Sequence, residues 1–276
     1  MSTSGALPHP SRLLVLGTGY VGTAVARLGR ARGMAVTASA RRSDHAARLR
    51  ADGFEVHEAA RLGAEVGALV DARTHVVVAF PPDGETDLRV TAVLGAAAAV
   101  SYVSTTGVYG ATRGVVDDAT PVPPPADERS ASVLAAERAY RAVGGTVLRC
   151  PGIYGPDRGL HVRVVSGVHR IPGDGSLYLS RIHVADLAAL LLASARVRGE
   201  CFVVGDLAPA PQLEVVRVIA EHHGVPLPPS VPLDEVHPSL RTDRRIDGRR
   251  ALAVLGVELA FPTYREGMAP AGRRPP

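Results

Sequence analysis

Short apolar runs alternate with longer amphipathic stretches over most of the chain. The first run, RLLVLG at residues 12–17, precedes YVGTAVARLGRARG, in which apolar residues recur at helical spacing up to Gly33. This pattern predicts a strand, a glycine-containing turn and a helix. Further strands are predicted at 34–40, 75–80, 99–104, 145–150 and 201–206, and further helices at 43–53 with Ser43 as its cap, at 85–98, after Asp127, at 184–195, at 213–224 and at 249–256.

Repeated strand and helix units of this kind build a parallel sheet. The predicted fold is therefore α/β, a doubly wound parallel sheet of the Rossmann type with helices on both faces and a small C-terminal part. We expect residues 11–154, completed by about 181–206, to form the sheet part. Residues 155–180 and 207–268 would form the smaller part, and residues 1–10 and 269–276 are expected to be disordered tails.

The turn after the first strand, GTGYVG at residues 17–22, has the spacing G-x-G-x-x-G. In this context Gly17 permits a tight turn, Gly19 lets the backbone approach a pyrophosphate, and Gly22 lets the helix pack closely. The helix N-terminus would hold the phosphates. Residues 11–154 are thus the predicted dinucleotide-binding part, with contacts from Gly17, Thr18, Gly19, Tyr20, Val21 and Gly22.

The end of the second strand distinguishes NAD from NADP. An NAD enzyme usually places Asp or Glu about 20 residues after the motif, to bind the ribose 2′-hydroxyl. This chain has SARR at residues 39–42, without an acid. Arg41 and Arg42 can pair with a 2′-phosphate, helped by the Ser39 hydroxyl. The sequence favours NADP, with NAD, and two arginines on a solvated face, as the alternatives.

Composition narrows the class of protein. No apolar stretch is long enough to span a bilayer and the first residues lack a leader pattern, so no membrane contact and a cytoplasmic location are expected. The net charge is +4, but the arginines are scattered and aromatic residues make up 4%, which disfavours a nucleic-acid partner. Cys150 and Cys201 are expected to be buried small hydrophobes. No metal site is predicted, since the neighbouring His222 and His223 point to different faces of a helix.

The chain contains no lysine, so all 31 of its basic residues other than histidine are arginine. Consequently no lysine can form a Schiff base or lower the pKa of a neighbouring tyrosine.

Several blocks of sequence resemble one family. STTGVYG at 104–110, LRCPGIYGPDRG at 148–159 and RIHVADLAALLLAS at 181–194 look like those of extended short-chain dehydrogenase/reductases, the NAD-dependent epimerase/dehydratase family. The segment RRIDGRRALAVLGVELAFPTYREGM at 244–268 is similar to the C-terminal segment of an atypical subgroup. The resemblance covers about residues 12–268 and implies an NAD(P)-dependent oxidoreductase, or related epimerase-type chemistry, on a small molecule.

In that family a serine or threonine four residues before the tyrosine of the V-Y-G block binds the reacting oxygen, which implies a catalytic Thr105. The next helix normally supplies Tyr-x-x-x-Lys. Alignment on Ala136 and Glu137 places Arg129 at the tyrosine position and Val133 at the lysine position. Arginine cannot donate a proton at ordinary pH, and valine cannot hydrogen-bond a ribose. The resemblance therefore implies a subgroup that lacks the proton-transfer pair.

The resemblance also implies further cofactor contacts. They are Phe80, Pro81, Pro82 and Ser104 along the cofactor, and Pro151, Gly152 and Ile153 at the nicotinamide. For Pro81 and Pro82 the alternative is a stiff loop without direct contact.

In the family, the helix that corresponds to the one after Asp127 often forms a dimer interface together with its neighbour. A homodimer is therefore one possible assembly of this chain.

Hydride transfer to a ketone also needs a proton, which Thr105, a tyrosine or water would deliver, whereas reduction of an iminium ion needs none. The candidate substitute acids, each with a structural role as the alternative, are Tyr109, Tyr154, Tyr178, His161 and His183. For His183 this structural role is a hydrogen bond at the end of a strand.

Asp186 is expected to cap or brace the turn at the start of its own helix.

The substrate is expected between the carboxyl edge of the sheet and the smaller part. Arg158, Arg163, Arg170 and Arg181 fall in or beside this region, either to hold a carboxylate or phosphate or as surface charges. Two hypotheses follow: an oxidoreductase in which Thr105 positions the substrate, and a non-catalytic NADP-binding sensor or scaffold.

Overall fold

The computed structural model describes residues 10–236 and 240–270. Its central sheet has seven parallel strands in the order β12-β7-β5-β4-β1-β2-β3. These strands are β1 (Arg12–Leu16), β2 (Ala35–Ala40), β3 (Glu55–Glu58), β4 (Thr74–Val78), β5 (Ala99–Thr105), β7 (Thr146–Cys150) and β12 (Cys201–Val203). The helices are α1 (Tyr20–Ala31), α2 (Ser43–Ala51), α3 (Glu85–Thr91), α4 (Glu128–Ala142), α5 (Leu160–Val165), α6 (Val184–Ala193), α7 (Gln212–His223), α8 (Arg249–Leu255) and α9 (Tyr264–Gly267).

Short strand pairs lie outside this sheet. They are β6 (Gly114–Val116) with β15 (Arg244–Ile246), β8 (Gly152–Tyr154) with β11 (Arg181–His183), β9 (Ile171–Pro172) with β14 (Ser230–Val231), and β10 (Tyr178–Leu179) with β13 (Ala210–Pro211).

The predicted doubly wound sheet is confirmed, and strand β1 illustrates why it forms. Leu13 and Val15 pack into one apolar cluster with α1 and α6, while Leu14 and Leu16 pack into a second cluster on the opposite face. Alternate side chains of a strand point to opposite faces, so a strand that is apolar at every position must be covered on both.

One strand was missed, and three predicted features differ from the structure. Strand β3 was missed because EVHE is polar; it lies at the sheet edge beside β2. The helix predicted at 85–98 ends at Thr91, before a segment that contains Gly95, and glycine disfavours helix. The strand predicted at 201–206 ends at Val203. Ser43 is the first residue of α2 and not its cap, since its hydroxyl donates a hydrogen bond to Glu58.

The helices outside the central sheet's own strand and helix units pack in two different places. Tyr154, Ile171, Ile219 and Tyr264 share a third apolar cluster around α5, α7 and α9. The α8 helix instead packs on α6, within the first cluster of the sheet part. The predicted tails lie, apart from residues 10, 269 and 270, outside the described residues. Over those described residues, no helix has the length and apolarity needed to cross a bilayer.

Candidate cofactor and substrate site

The glycine turn leaves no room for side chains at two of its glycines. Gly17 has φ +93°, and a Cβ added there would lie 2.6 Å from the backbone nitrogen of Phe80. A Cβ on Gly22 would lie 2.1 Å from the carbonyl oxygen of Gly17. Backbone atoms cannot tolerate contacts this short, so both positions require glycine.

Gly19, between them, faces open space. A Cβ added there would meet no atom within 4 Å. Gly19 is also the N-cap of α1, where no side chain caps the helix and no acidic residue occupies the first turn. The first N–H groups of a helix need an acceptor and attract anions. The turn therefore fits the pyrophosphate of a dinucleotide.

The other residues of the turn pack or bond inside the protein, although the Tyr20 hydroxyl is buried without a hydrogen-bond partner among the described residues. Thr18 is buried, and its hydroxyl donates to the Ser39 carbonyl at 2.6 Å. His45 lies 2.9 Å from the Thr18 carbonyl through Nε2. Tyr20 stacks under the Arg158 guanidinium, 5.1 Å from its ring centroid, and burial raises the Tyr20 pKa to about 12. Val21 packs against the first apolar cluster.

The residues predicted to bind a 2′-phosphate differ in their availability. Ser39 is buried, and its Oγ accepts a hydrogen bond from the Gly17 N–H at 2.9 Å, so it supports the turn. Arg42 pairs with Asp44 at 2.7 Å. Arg41 is exposed and, among the residues that the structure describes, has no ion pair or side-chain hydrogen bond. The predicted phosphate contacts of all three stay predictions.

A second feature at the carboxyl edge of the sheet is a cleft of about 630 Å³, which we call the substrate cleft. Thr105 lines it from the end of β5, and Pro151, Gly152 and Ile153 line it from the end of β7 onwards. Thr105 is half-buried, and its Oγ1 accepts a hydrogen bond from the Gly107 N–H at 3.0 Å. Its own O–H has no acceptor among the described residues and so is free to donate.

Helix α4 presents Arg129 and Val133 to the same cleft. Arg129 is exposed and Val133 is buried, and the two are about one helical turn apart. The positions that the resemblance aligns with the tyrosine and the lysine thus both face the place where a substrate would lie.

A buried ion pair, which sequence reasoning missed, lies behind Thr105. Glu137 and Arg149 are 2.7 Å apart, with 5% and 12% of their side chains exposed. The Ser104 hydroxyl donates to Glu137, and Arg149 donates to the Tyr109 hydroxyl at 3.0 Å. The available signal was Arg149 itself, a charge within the apolar run GTVLRC, because buried charges are almost always paired.

The candidate substitute acids mostly lie elsewhere. Tyr109, Tyr178, His161 and His183 are not among the residues that line the cleft. Tyr154 lines it, but its hydroxyl is buried without a hydrogen-bond partner among the described residues, and burial raises its pKa.

The predictions for the end of β11 have opposite outcomes. His183 Nδ1 accepts a hydrogen bond from the Ala185 N–H at 3.2 Å, which confirms its predicted role before α6. The prediction for Asp186 was wrong. Its carboxylate accepts N–H bonds from Ala260 at 2.7 Å and Phe261 at 3.1 Å, so it braces the C-terminal segment and not its own helix.

The arginines proposed for anion binding separate into two groups. Arg163 and Arg181 line the substrate cleft, whereas Arg158 stacks on Tyr20 and Arg170 donates to backbone carbonyls. Sequence reasoning missed Arg244, which also lines the cleft. It reaches this position because β15 pairs with the distant β6, a contact with no local sequence signal.

Cys150 and Cys201 are free thiols, and burial raises the pKa of both, that of Cys201 to about 11. Within residues 10–236 and 240–270, no cluster of three or more His, Cys, Asp or Glu side chains could hold a metal ion.

Comparison with known proteins gives structural matches. No model of a known protein family matches the chain, and no curated protein sequence does. A functionally unknown conserved protein from Silicibacter pomeroyi is 31% identical, with a TM-score of 0.80 over 94% of this chain and 96% of that one. The “putative NAD-dependent epimerase/dehydratase” from Methylobacillus flagellatus is 26% identical, with a TM-score of 0.72 over 93% and 96%. Human epimerase family protein SDR39U1, solved with NADPH, is 20% identical, with a TM-score of 0.72 over 93% and 97%.

The fold therefore belongs to the Rossmann class of NAD-dependent epimerase/dehydratase structures. More narrowly, its 31% identity over almost the whole length shows that the chain belongs to the same family as the Silicibacter pomeroyi protein.

Proposed function

We propose that the chain is an NADP-dependent oxidoreductase of a small molecule that works without a Tyr/Lys proton-transfer pair. One observation carries this proposal. The uncapped N-terminus of α1 and the cleft around Thr105 both follow the carboxyl ends of strands in the same parallel sheet. In open α/β sheets this edge is where cofactor and substrate meet.

Each part of the site has a task in this proposal. Gly19 and the first N–H groups of α1 would hold the pyrophosphate, and Arg41 the 2′-phosphate. Pro151 and Ile153 would line the nicotinamide. When bound, the cofactor supplies or accepts a hydride. Thr105 would donate its free O–H to the oxygen of the substrate and so orient the reacting carbon.

The chemistry of the cleft favours substrates that need no strong proton donor. Arg129 stays protonated at ordinary pH, and Val133 has no polar atom. Reduction of an iminium ion meets this requirement, because the product amine is already neutral. The arginines that line the cleft would repel the iminium charge, so such a substrate would need an anionic group of its own. A carbonyl would take its proton from Thr105 or from water.

Hydride transfer can be tested without knowing the substrate. NADPH deuterated at either face of C4 is incubated with the protein and a protein-free metabolite extract, and mass spectrometry searches for any deuterium-labelled metabolite. We expect one labelled product from one of the two faces. Thr105→Val should lower its rate about a hundredfold, while Thr105→Ser, which keeps the hydroxyl, should retain most of the rate.

The non-catalytic alternative predicts a different result. Its supporting observation is that Arg129 and Val133 occupy the cleft where a catalytic pair would be expected. Tight NADPH binding with no deuterium transfer from either face would favour the sensor or scaffold and contradict the oxidoreductase. Equal rates for Thr105→Val and the unmodified protein would contradict the role of Thr105 alone.

A further inference from the structure

The substrate cleft has an unbalanced set of charges. Four arginines line it, Arg129, Arg163, Arg181 and Arg244, against a single acid, Asp127. None of the four arginines forms an ion pair within the described part of the chain. Arginines elsewhere in the molecule commonly do.

The Asp127 carboxylate is already in use. It caps α4 and accepts a hydrogen bond from the Ser130 N–H at 2.7 Å. The cleft therefore carries a net positive charge that the protein does not neutralise by ion pairing.

Two of these arginines are buried. Arg181 is 4% exposed and Arg244 is 8% exposed. Arg244 donates to the Gly110 carbonyl, and Arg181 donates to the Leu179 carbonyl at 2.8 Å. Backbone carbonyls satisfy hydrogen bonds but do not cancel a charge, so these hydrogen bonds do not neutralise either guanidinium.

Arg181 also keeps a vacant donor. Its Nη1 is buried without a hydrogen-bond partner among the described residues. The buried Asp206 makes no ion pair with it, and burial raises the Asp206 pKa to about 6. At neutral pH Asp206 is ionised and attracts Arg181 from beyond ion-pair distance, so it offsets part of the Arg181 charge but leaves Nη1 without an acceptor.

The phosphates of the cofactor do not account for this charge. The glycine turn at 17–22 and Arg41 lie outside the lining of the substrate cleft. The cleft adjoins Thr105, where a substrate would react, and its volume of about 630 Å³ suits a small molecule.

Given the proposed function, we propose that the substrate carries a carboxylate or phosphate group. The exposed Arg129 and Arg163 contact this anion, and the buried Arg181 and Arg244 supply fixed positive charge from the wall.

The test uses the full chain saturated with NADPH and two small probes, benzoate and inorganic phosphate, with benzamide as the neutral counterpart of benzoate. Calorimetry measures binding of each. We expect benzoate or phosphate to bind and benzamide not to bind, and the tighter probe identifies the anionic group. Arg129→Gln and Arg163→Gln should each weaken binding about tenfold, since each removes a charge-assisted contact.

Arg170→Gln is the matched control, because Arg170 is exposed close to Arg163 but does not line the cleft. Its effect should stay within about twofold. All the substituted arginines in this series are exposed, and circular dichroism verifies that each variant folds.

Two results would overturn the inference: no binding of either anion to the NADPH complex, or equal binding by the Arg129→Gln/Arg163→Gln double variant. A failure of NADPH itself to bind would instead contradict the proposed function. In that case the cofactor-free protein still tests the anion site, through the same double variant.

Discussion

The glycine turn and the substrate cleft lie at the same edge of the sheet but satisfy their polar groups differently. At the turn, Gly17, Thr18 and Ser39 bond to one another, and the Tyr20 hydroxyl is the atom left without a partner among the described residues. In the cleft, Arg181 and Gln212 each have a buried side-chain atom without a partner among the described residues. On the proposed function, the turn would recognise the cofactor mainly by backbone shape, whereas the cleft would offer positive charge and hydrogen-bond donors to the substrate.

The largest expected effect is on folding stability, and it tests how much a buried arginine without a carboxylate partner lowers the free energy of unfolding. Arg149, behind the cleft, has the carboxylate partner that the cleft arginines lack. Glu137→Gln would leave the Arg149 charge buried and unpaired, which should lower the free energy of unfolding by about 4 kcal/mol. Urea denaturation at neutral pH measures the loss.

The exposed Glu258, which forms no ion pair in the described residues, provides the control, and Glu258→Gln should change stability by less than about 0.5 kcal/mol. A loss below about 1 kcal/mol for Glu137→Gln would mean that this fold tolerates buried arginine charge. It would also weaken the reason to expect an anion in the cleft.

The next effect tests whether the turn works by shape. Gly22→Ala places a methyl group 2.1 Å from the Gly17 carbonyl oxygen. We expect a loss of about 3 kcal/mol in the free energy of unfolding, because the helix must move away from the turn. NADPH binding, measured by fluorescence, should be lost along with the packing.

Gly19→Ala separates the loss of NADPH binding from the loss of stability. Its methyl group would meet no protein atom within 4 Å, so stability should be retained while NADPH binding weakens. Gly95→Ala, which also meets nothing within 4 Å, should change neither property. If Gly19→Ala bound NADPH as tightly as Gly95→Ala, the pyrophosphate would not lie where we place it.

The same contrast explains what could be predicted from the sequence. The sheet and the turn follow from local patterns, apolar runs and glycine spacing, so the Rossmann fold and the roles of Gly17 and Gly22 could be anticipated. The set of cleft arginines could be anticipated only in part. The sequence placed Arg163 and Arg181 in this region, but it placed Arg158 and Arg170 there as well, and these do not line the cleft. It missed Arg244, which reaches the cleft only through the β6–β15 pair.

The cleft should also be the more pH-sensitive region. Burial, followed by the nearby Arg163 and Arg170, lowers the pKa of His169 from 6.5 to about 4. The unfolded chain then takes up a proton at a higher pH than the folded chain, so stability is present above pH 6.5 and is lost as pH falls towards 4. Because His169 lies at the wall of the cleft, where screening reduces the full effect, we expect about 1 kcal/mol between pH 7 and pH 5.

His169→Gln should reduce the difference in unfolding free energy between these two pH values by that amount, whatever its effect at pH 7. Asp206 works in the opposite direction. Burial raises its pKa to about 6, so its contribution to stability is lost as pH rises from 3.8 through 6. Asp206→Asn should therefore steepen the loss on acidification. An unchanged pH dependence in His169→Gln would show that His169 titrates normally.

The smallest effect concerns Arg41, an arginine of the turn region that, like the arginines of the cleft, has no ion pair within the described residues. Arg41 is exposed and lacks an ion pair among the described residues, whereas its neighbour Arg42 is held by Asp44 at 2.7 Å. If the 2′-phosphate pairs with the Arg41 guanidinium, Arg41→Gln should weaken NADPH binding about fivefold and leave NADH binding unchanged. The expected effect is small because exposed charges are screened. Arg42→Gln, the matched control, should change both affinities by less than about twofold, since its guanidinium already has a partner. Equal losses of NADPH and NADH in Arg41→Gln would mean that Arg41 does not contact the 2′-phosphate, and the turn would then recognise its cofactor by shape alone.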